Sequence, residues 1–161
     1  MKWLNCEKIR MLLVVFLAAI ALSGGSAKAD FTFGEPTNLG PMVNCTAYNF
    51  APCISENGLK IYYSCSSDID VQTGDILVGT REAVDEPWSE PMNLVPNVNS
   101  PRNEMEPAIS ANELELYFVR GNEYPNILVA KRSSKEEPWD SPIALLELGY
   151  GREPDISPDG L

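Results

Sequence analysis

Three stretches of this chain are copies of one another, and that self-similarity limits its fold more than any other feature. Residues 52–63 read Pro-Cys-Ile-Ser-Glu-Asn-Gly-Leu-Lys-Ile-Tyr-Tyr, and residues 107–118 read Pro-Ala-Ile-Ser-Ala-Asn-Glu-Leu-Glu-Leu-Tyr-Phe. Residues 154–161 read Pro-Asp-Ile-Ser-Pro-Asp-Gly-Leu. The shared isoleucines, Ile54, Ile109 and Ile156, stand 55 and then 47 positions apart. Other blocks keep step with them. Asp75-Ile-Leu-Val-Gly-Thr-Arg81 matches Asn126-Ile-Leu-Val-Ala-Lys-Arg132, and Glu86-Pro-Trp-Ser-Glu-Pro91 matches Glu137-Pro-Trp-Asp-Ser-Pro142. The stretch from Pro36 to Asn44 matches that from Pro91 to Asn99. Blocks recurring in one order mark a repeat architecture, in which each unit buries its apolar face against a neighbour of its own kind.

Each block has a local meaning. Ser-Pro-Asp-Gly and Ser-Glu-Asn-Gly are turn sequences: Pro158 presets φ, Asn57 and Asp159 suit the next position, and Gly58 and Gly160 accept φ > 0. The residues after the turn alternate, with Leu59, Ile61 and Tyr63 on one face and Lys60, Tyr62 and Ser64 on the other. Leu114, Leu116 and Phe118 repeat the apolar face. Residues 76–80 and 127–130 are short apolar runs suited to strands covered on both sides. The expectation is an all-β chain of antiparallel strands. Its structural repeat positions are Pro52, Ile54, Ser55 and Gly58; Pro107, Ile109 and Ser110; Pro154, Ile156, Ser157, Asp159 and Gly160; and Trp88 with Trp139. Glu113 breaks the pattern, standing where the other units have glycine. A left-handed backbone there would cost a side chain about 1 kcal/mol, so a different turn type is expected in the middle unit.

These motifs resemble the WD-like β-propeller repeats of the TolB type. The resemblance rests on Pro-x-Ile-Ser-Pro-Asp-Gly-Leu at 154–161, its variants at 52–59 and 107–114, and the Leu-x-[Ile/Leu]-Tyr-[Tyr/Phe] strands that follow the first two. It implies propeller blades of antiparallel strands: a closing strand at 31–45, one blade at 46–100, a second at 101–148, and the start of another at 149–161. Propellers need about four to eight blades, so the expectation is an incomplete ring. Such a chain is a fragment of a longer propeller, or its missing blades come from other copies. The family's shared residues build the blade and do not specify an activity.

The start of the chain reads as a secretory signal. Lys2, Lys8 and Arg10 precede an uncharged apolar run at 11–22, and Ala27 and Ala29 are spaced like a cleavage site. The run is shorter than the roughly 20 residues of a membrane span, so no membrane insertion is expected after cleavage at residue 29. The remaining chain would carry eight cations and 22 anions, a net charge of −14. Such a surface repels phosphate backbones, which excludes nucleic acid as a natural partner and leaves protein and glycan ligands open. An exported chain with Cys45, Cys53 and Cys65 can form one disulfide. In a hairpin over 53–65, Cys53 falls opposite Ile61, about 13 Å of strand from Cys65, too far to bridge. Cys45 and Cys65 both lie at the open end of the hairpin and would meet if the chain bends near Thr46, which makes them the candidate pair. No metal or cofactor is called for: histidine is absent, and the cysteine spacings match no zinc pattern.

Several residues invite functional readings. Trp88 and Trp139 suit sugar stacking, but they recur in register, which fits packing at the unit edge. The acidic stretch from Asp68 to Asp75 departs from calcium-loop spacing and fits a solvated loop. Asn44-Cys-Thr46 would accept N-glycosylation only in a eukaryotic secretory route. Glu104, Glu106 and Glu153 offer carboxylates for glycoside hydrolysis, yet two of them are again the repeated residue before proline. A histidine-dependent nucleophile cannot be assembled from this chain alone. No tryptophan follows the turn glycine as the sialidase aspartate box requires. The leading expectation is a non-enzymatic binding or scaffolding module, periplasmic or extracellular. The alternatives are a carbohydrate-active propeller whose acids lie on other blades, and a TolB-like component of envelope complexes.

Overall fold

A computed structural model describes residues 34–44, 48–67, 73–157 and 159. The candidate signal, residues 1–29, lies outside them. Thr37–Leu161 forms one compact unit and carries all the strands of the described residues. Strands β1 (Tyr48–Ile54), β2 (Lys60–Ser66), β3 (Gly74–Thr80) and β4 (Met92–Asn93) form one antiparallel sheet, ordered as in the sequence. Strands β5 (Glu104–Ile109), β6 (Glu115–Arg120), β7 (Asn126–Lys131) and β8 (Ile143–Ala144) form a second sheet of the same order. A 3-10 turn at Leu146–Leu148 follows. The described residues are all-β, and their two sheets do not close into a ring. Residues 37–44 hold a turn and no strand.

The two hairpins are built alike. Ser55 N donates to Lys60 O at 2.9 Å and Gly58 N to Ser55 O at 2.8 Å; Ser110 and Glu113 repeat both bonds at 3.0 and 2.8 Å. The serine hydroxyl donates to the asparagine side chain two residues on, at 2.7 Å (Asn57) and 2.8 Å (Asn112). It also accepts from the first residue of the returning strand, Lys60 or Glu115. Serine and asparagine thus supply acceptors that the tight turn lacks. A different turn type at Glu113 is not found. Its φ is 59°, beside 72° at Gly58, and the hydrogen bonds are the same. The strain is accepted because the Glu113 carboxylate is held by partners that glycine could not engage, described below.

Between Phe50 and Cys53, and between Met105 and Ala108, the first arm of each hairpin slips by one residue against its partner. The extra residue is taken up at Ala51-Pro52 and Glu106-Pro107, where the residue before proline is left-handed, with φ 49° and 57°. These are β-bulges, and they bend the arm. The turn pair Ser55–Lys60 sets Cys53 opposite Tyr62, one residue further along than Ile61. Cys45 lies outside the described residues.

The apolar faces explain the stacking. Alternation places Ile61 and Tyr63 on the outer face of the first sheet, where they pack with Val43 and Trp88. The opposite face is equally covered. Tyr62, Ile76 and Val78 meet Leu116, Phe118, Leu128 and Ala130 of the second sheet and Trp139 between its last two strands, with Val98 also in the cluster. Leu116, Phe118, Trp139 and Val98 are the repeat counterparts of Ile61, Tyr63, Trp88 and Val43. Each unit therefore has two different apolar faces, and the front of one packs on the back of the one before it. The link carrying Val98 is pinned by Asn99, whose side chain bonds both the N–H and the C=O of Ile76, at 2.9 and 2.7 Å.

Candidate functional site

The kinked first arms converge. Residues 51–54 of β1, 106–108 of β5 and 153–155 of the third copy line one groove of about 460 Å³. Each arm contributes a left-handed residue before its proline, and Glu153, with φ 53°, completes the set. Non-glycine residues avoid this conformation at a cost on the order of 1 kcal/mol each, so something must hold them. The bonds run from unit to unit. Glu106 N donates to Ser64 Oγ in the first sheet at 2.9 Å, and Glu153 N donates to Glu106 Oε2 in the second at 2.6 Å. Ile109 N reaches Cys53 Sγ at 3.4 Å.

Of the three candidate acids, the structure brings Glu106 and Glu153 to this groove and places Glu104 elsewhere. Glu104 is fully buried and accepts from Arg120 Nε at 2.6 Å, Ser100 Oγ at 2.6 Å and Ser100 N at 3.0 Å. The Glu106 carboxylate also accepts from Arg152 Nη1 at 3.2 Å, while Arg152 Nη2 donates to Asn122 O. The buried Glu104 and the half-buried Glu106 are thus both engaged in ionic contacts within the fold. The Glu153 side chain is exposed at the rim beside Asp155, and Ile54 adds an exposed apolar edge.

Trp88 and Trp139 are both buried, and an arginine covers each ring. Arg81 lies 4.3 Å and Arg132 4.2 Å from the ring centroids. The same arginines donate through Nε to the carbonyls of Gly58 and Glu113, at 2.8 and 2.9 Å. One side chain therefore ties the turn to the tryptophan, by cation–π contact and by hydrogen bond. The in-register Arg81 and Arg132 were the sequence signal for this clamp, although the turn contact is visible only in three dimensions. Residues 68–72 of the acidic stretch lie outside the described residues; Asp75 accepts from Asn93 Nδ2 at 2.7 Å.

The seam between the sheets holds an ionic cluster that the repeat pattern hides. Glu113 Oε2 accepts from Lys60 Nζ at 2.7 Å, Oε1 from Lys135 Nζ at 2.8 Å and Asn57 Nδ2 at 3.3 Å, with Arg132 Nη2 3.9 Å away. Lys60 and Asn57 belong to the first unit, so the carboxylate bridges the two. Burial alone would push the Glu113 carboxyl up; the Lys135 and Lys60 ammonium groups outweigh this and hold it below the ordinary carboxylate value. Beside it, burial pushes the Tyr62 hydroxyl up to about 12. Burial, then the Glu115 carboxylate, does the same to Tyr117.

Among the described residues, no group of three or more histidine, cysteine, aspartate or glutamate side chains is placed to hold a metal ion. None of their helices is long and apolar enough to cross a membrane. No protein-family model matches the chain, and no curated protein matches it.

Proposed function

We propose that this is an exported, propeller-type repeat protein that works as a non-enzymatic binding or scaffolding module, with the convergent groove as its recognition surface. The observation that carries the reading is the groove itself. Three equivalent arms, from three successive units, present the same kinked segment side by side. In a propeller of the TolB type the first arm of each blade would line the centre, where a ligand meets every blade at once. Backbone strain repeated at equivalent positions of one concave surface is the kind of cost that recognition sites carry. The commitment of Glu104 and Glu106 to arginine contacts supports binding over hydrolysis, because neither carboxylate is left to act as acid or base. The basic leader, apolar run and small residues at 1–29 support export. The acidic balance supports a cationic or neutral partner in place of nucleic acid.

A direct test is to screen the secreted chain against linear peptides and soluble polysaccharides, comparing wild type with Ile54→Arg. Ile54 is 54% exposed in the groove, so this change alters the surface without opening the core. Binding that is lost in Ile54→Arg at an unchanged melting temperature supports the reading. Polysaccharide turnover abolished by changing a single acid would replace it with the carbohydrate-active alternative.

A further inference from the structure

The seam between the two sheets carries charge that the repeat does not require. A cleft of about 430 Å³ opens there, between the back of the first sheet and the 132–139 link of the second. Three of the cations lining it surround one carboxylate: Glu113 has Lys60 at 2.7 Å, Lys135 at 2.8 Å and Arg132 at 3.9 Å. The other copy of the repeat holds Gly58, Glu115 and Val84 at the positions of Glu113, Lys60 and Lys135. Yet the first unit builds the same clamp, with Arg81 over Trp88 and bonded to the Gly58 carbonyl. Construction of the unit therefore does not account for the lysines. Their charge is also in excess, because Glu113 neutralises only one of the three cations. The Arg132 side chain is 7% exposed, and its Nη2 is buried without a hydrogen bond. Each lysine ammonium has three N–H donors and gives one to Glu113. Both bond the same carboxylate, so their remaining donors lie close together, and both side chains are partly exposed. Val78, Met92 and Leu94 of the first unit and Pro138 of the second make the rest of the cleft apolar.

We infer that this seam cleft binds a single carboxylate carried on an apolar body, either a free organic acid or the last residue of a polypeptide. The carboxylate takes the spare donors of Lys60 and Lys135 in charge-assisted bonds, and the body lies against Val78, Met92 and Leu94. Concave sites of this kind, apolar with a few placed polar groups, are the usual form of a small-ligand pocket. The surroundings set the selectivity. Exposed Glu136 and Glu137 line the same cleft, and the chain carries a net charge of −11, so a polyanion is repelled where one negative charge is admitted. An apolar amine meets the lysines and is repelled in turn. The cleft shares no lining residue with the groove of the converging first arms, so this site stands apart from the one proposed above.

The test is calorimetric titration of the full chain with two acids, 3-phenylpropionate and the N-acetylated tripeptide Ala-Ala-Leu, each beside its carboxamide. The expected result is saturable binding of at least one acid, weakened about tenfold in its amide. The amide leaves the protein untouched, so a folding defect cannot mimic that loss. Lys135→Val, which installs the side chain found at the equivalent Val84, should weaken the acid similarly. Met92→Glu should do the same without disturbing the Glu113 contacts; Met92 is 58% exposed, so the melting temperature should hold. Whichever acid binds more tightly identifies the source, free or polypeptide. Ile54→Arg, in the separate groove, should leave this affinity unchanged, so failure of either site can be told from failure of the other. Equal binding of acid and amide, inorganic phosphate binding as tightly as the acids, affinity indifferent to both cleft variants, or no binding of either acid would each overturn the site.

Discussion

Glu113 offers a measurement in which two opposed effects can be separated. Its backbone is left-handed, so a side chain there costs about 1 kcal/mol that glycine would not incur. Against this, its carboxylate, 2% exposed, takes bonds from Lys60 and Lys135, whose side chains are 25% and 44% exposed. Hydrogen bonds to charged groups contribute about 1.5–3 kcal/mol each when sheltered; with both lysines partly solvated, about 2 kcal/mol for the pair is reasonable. Glu113→Ala loses the pair and keeps the strain, a cost of about 2 kcal/mol, whereas Glu113→Gly also relieves the strain and should cost about 1 kcal/mol. In thermal unfolding this corresponds to a fall of roughly 6–10 °C for alanine and roughly 3–5 °C for glycine. The pH dependence has a definite sign. A carboxyl held below its ordinary value of 4.5 contributes fully above pH 4.5, and that contribution is lost as pH falls through its lower folded value. The gap between wild type and Glu113→Gln should therefore be full at neutral pH and close in acid. If Glu113→Gly proves more stable than wild type by about 1 kcal/mol, the bridge contributes nothing; if it falls level with Glu113→Ala, the backbone reasoning is wrong.

Three further outcomes follow from buried contacts. Tyr62 and Tyr117 are raised from 10 to about 12, so their neutral forms favour the fold; stability should be intact below pH 10 and decline between pH 10 and 12, with phenolate absorbance of the folded chain lagging that of the denatured chain. Ser64→Ala removes the acceptor for the Glu106 amide, leaving a buried donor unpaired beside a strained residue; a loss of about 1–3 kcal/mol in denaturant unfolding is expected, with faster exchange at Glu106. Arg132→Lys keeps the charge but gives up the flat stacking on Trp139 and the bond to Glu113 O; a loss of about 1–2 kcal/mol and a change in tryptophan emission are expected, and an unchanged spectrum would deny the clamp.

What could be read in the sequence was what depends on neighbours along the chain. Alternation after Gly58 and Glu113 marks strands because side chains two apart share a face, and Ser-x-Asn marks the turn because its bonds are local. The bulges were not legible. A residue before proline ordinarily reads as extended, and nothing in Ala51-Pro52 or Glu106-Pro107 announces a left-handed kink. At Glu106 and Glu153 the kinked residue's amide is held by Ser64 Oγ and Glu106 Oε2, acceptors 42 and 47 residues away in the sequence. The groove shared this fate, since it exists only where three distant arms meet. Glu113 misled local reasoning for a related reason: propensity favours glycine, but Lys60, 53 residues away, outweighs it. Glu104, fully buried, could be recognised only once Arg120 was seen beside it.

The sheets meet through unlike surfaces, Tyr62 and Ile76 on one side and Leu116 and Phe118 on the other. A contact of that kind has a direction, so it cannot be satisfied by turning a second unit round to face the first. Genetic duplication of one whole period, cut at any point in it, would preserve every such contact, whereas an inserted half-period would set like against like and leave both unmatched. Growth of this architecture is consequently one-way and quantised in sequence, a rule that any fusion or shuffling of its units must obey.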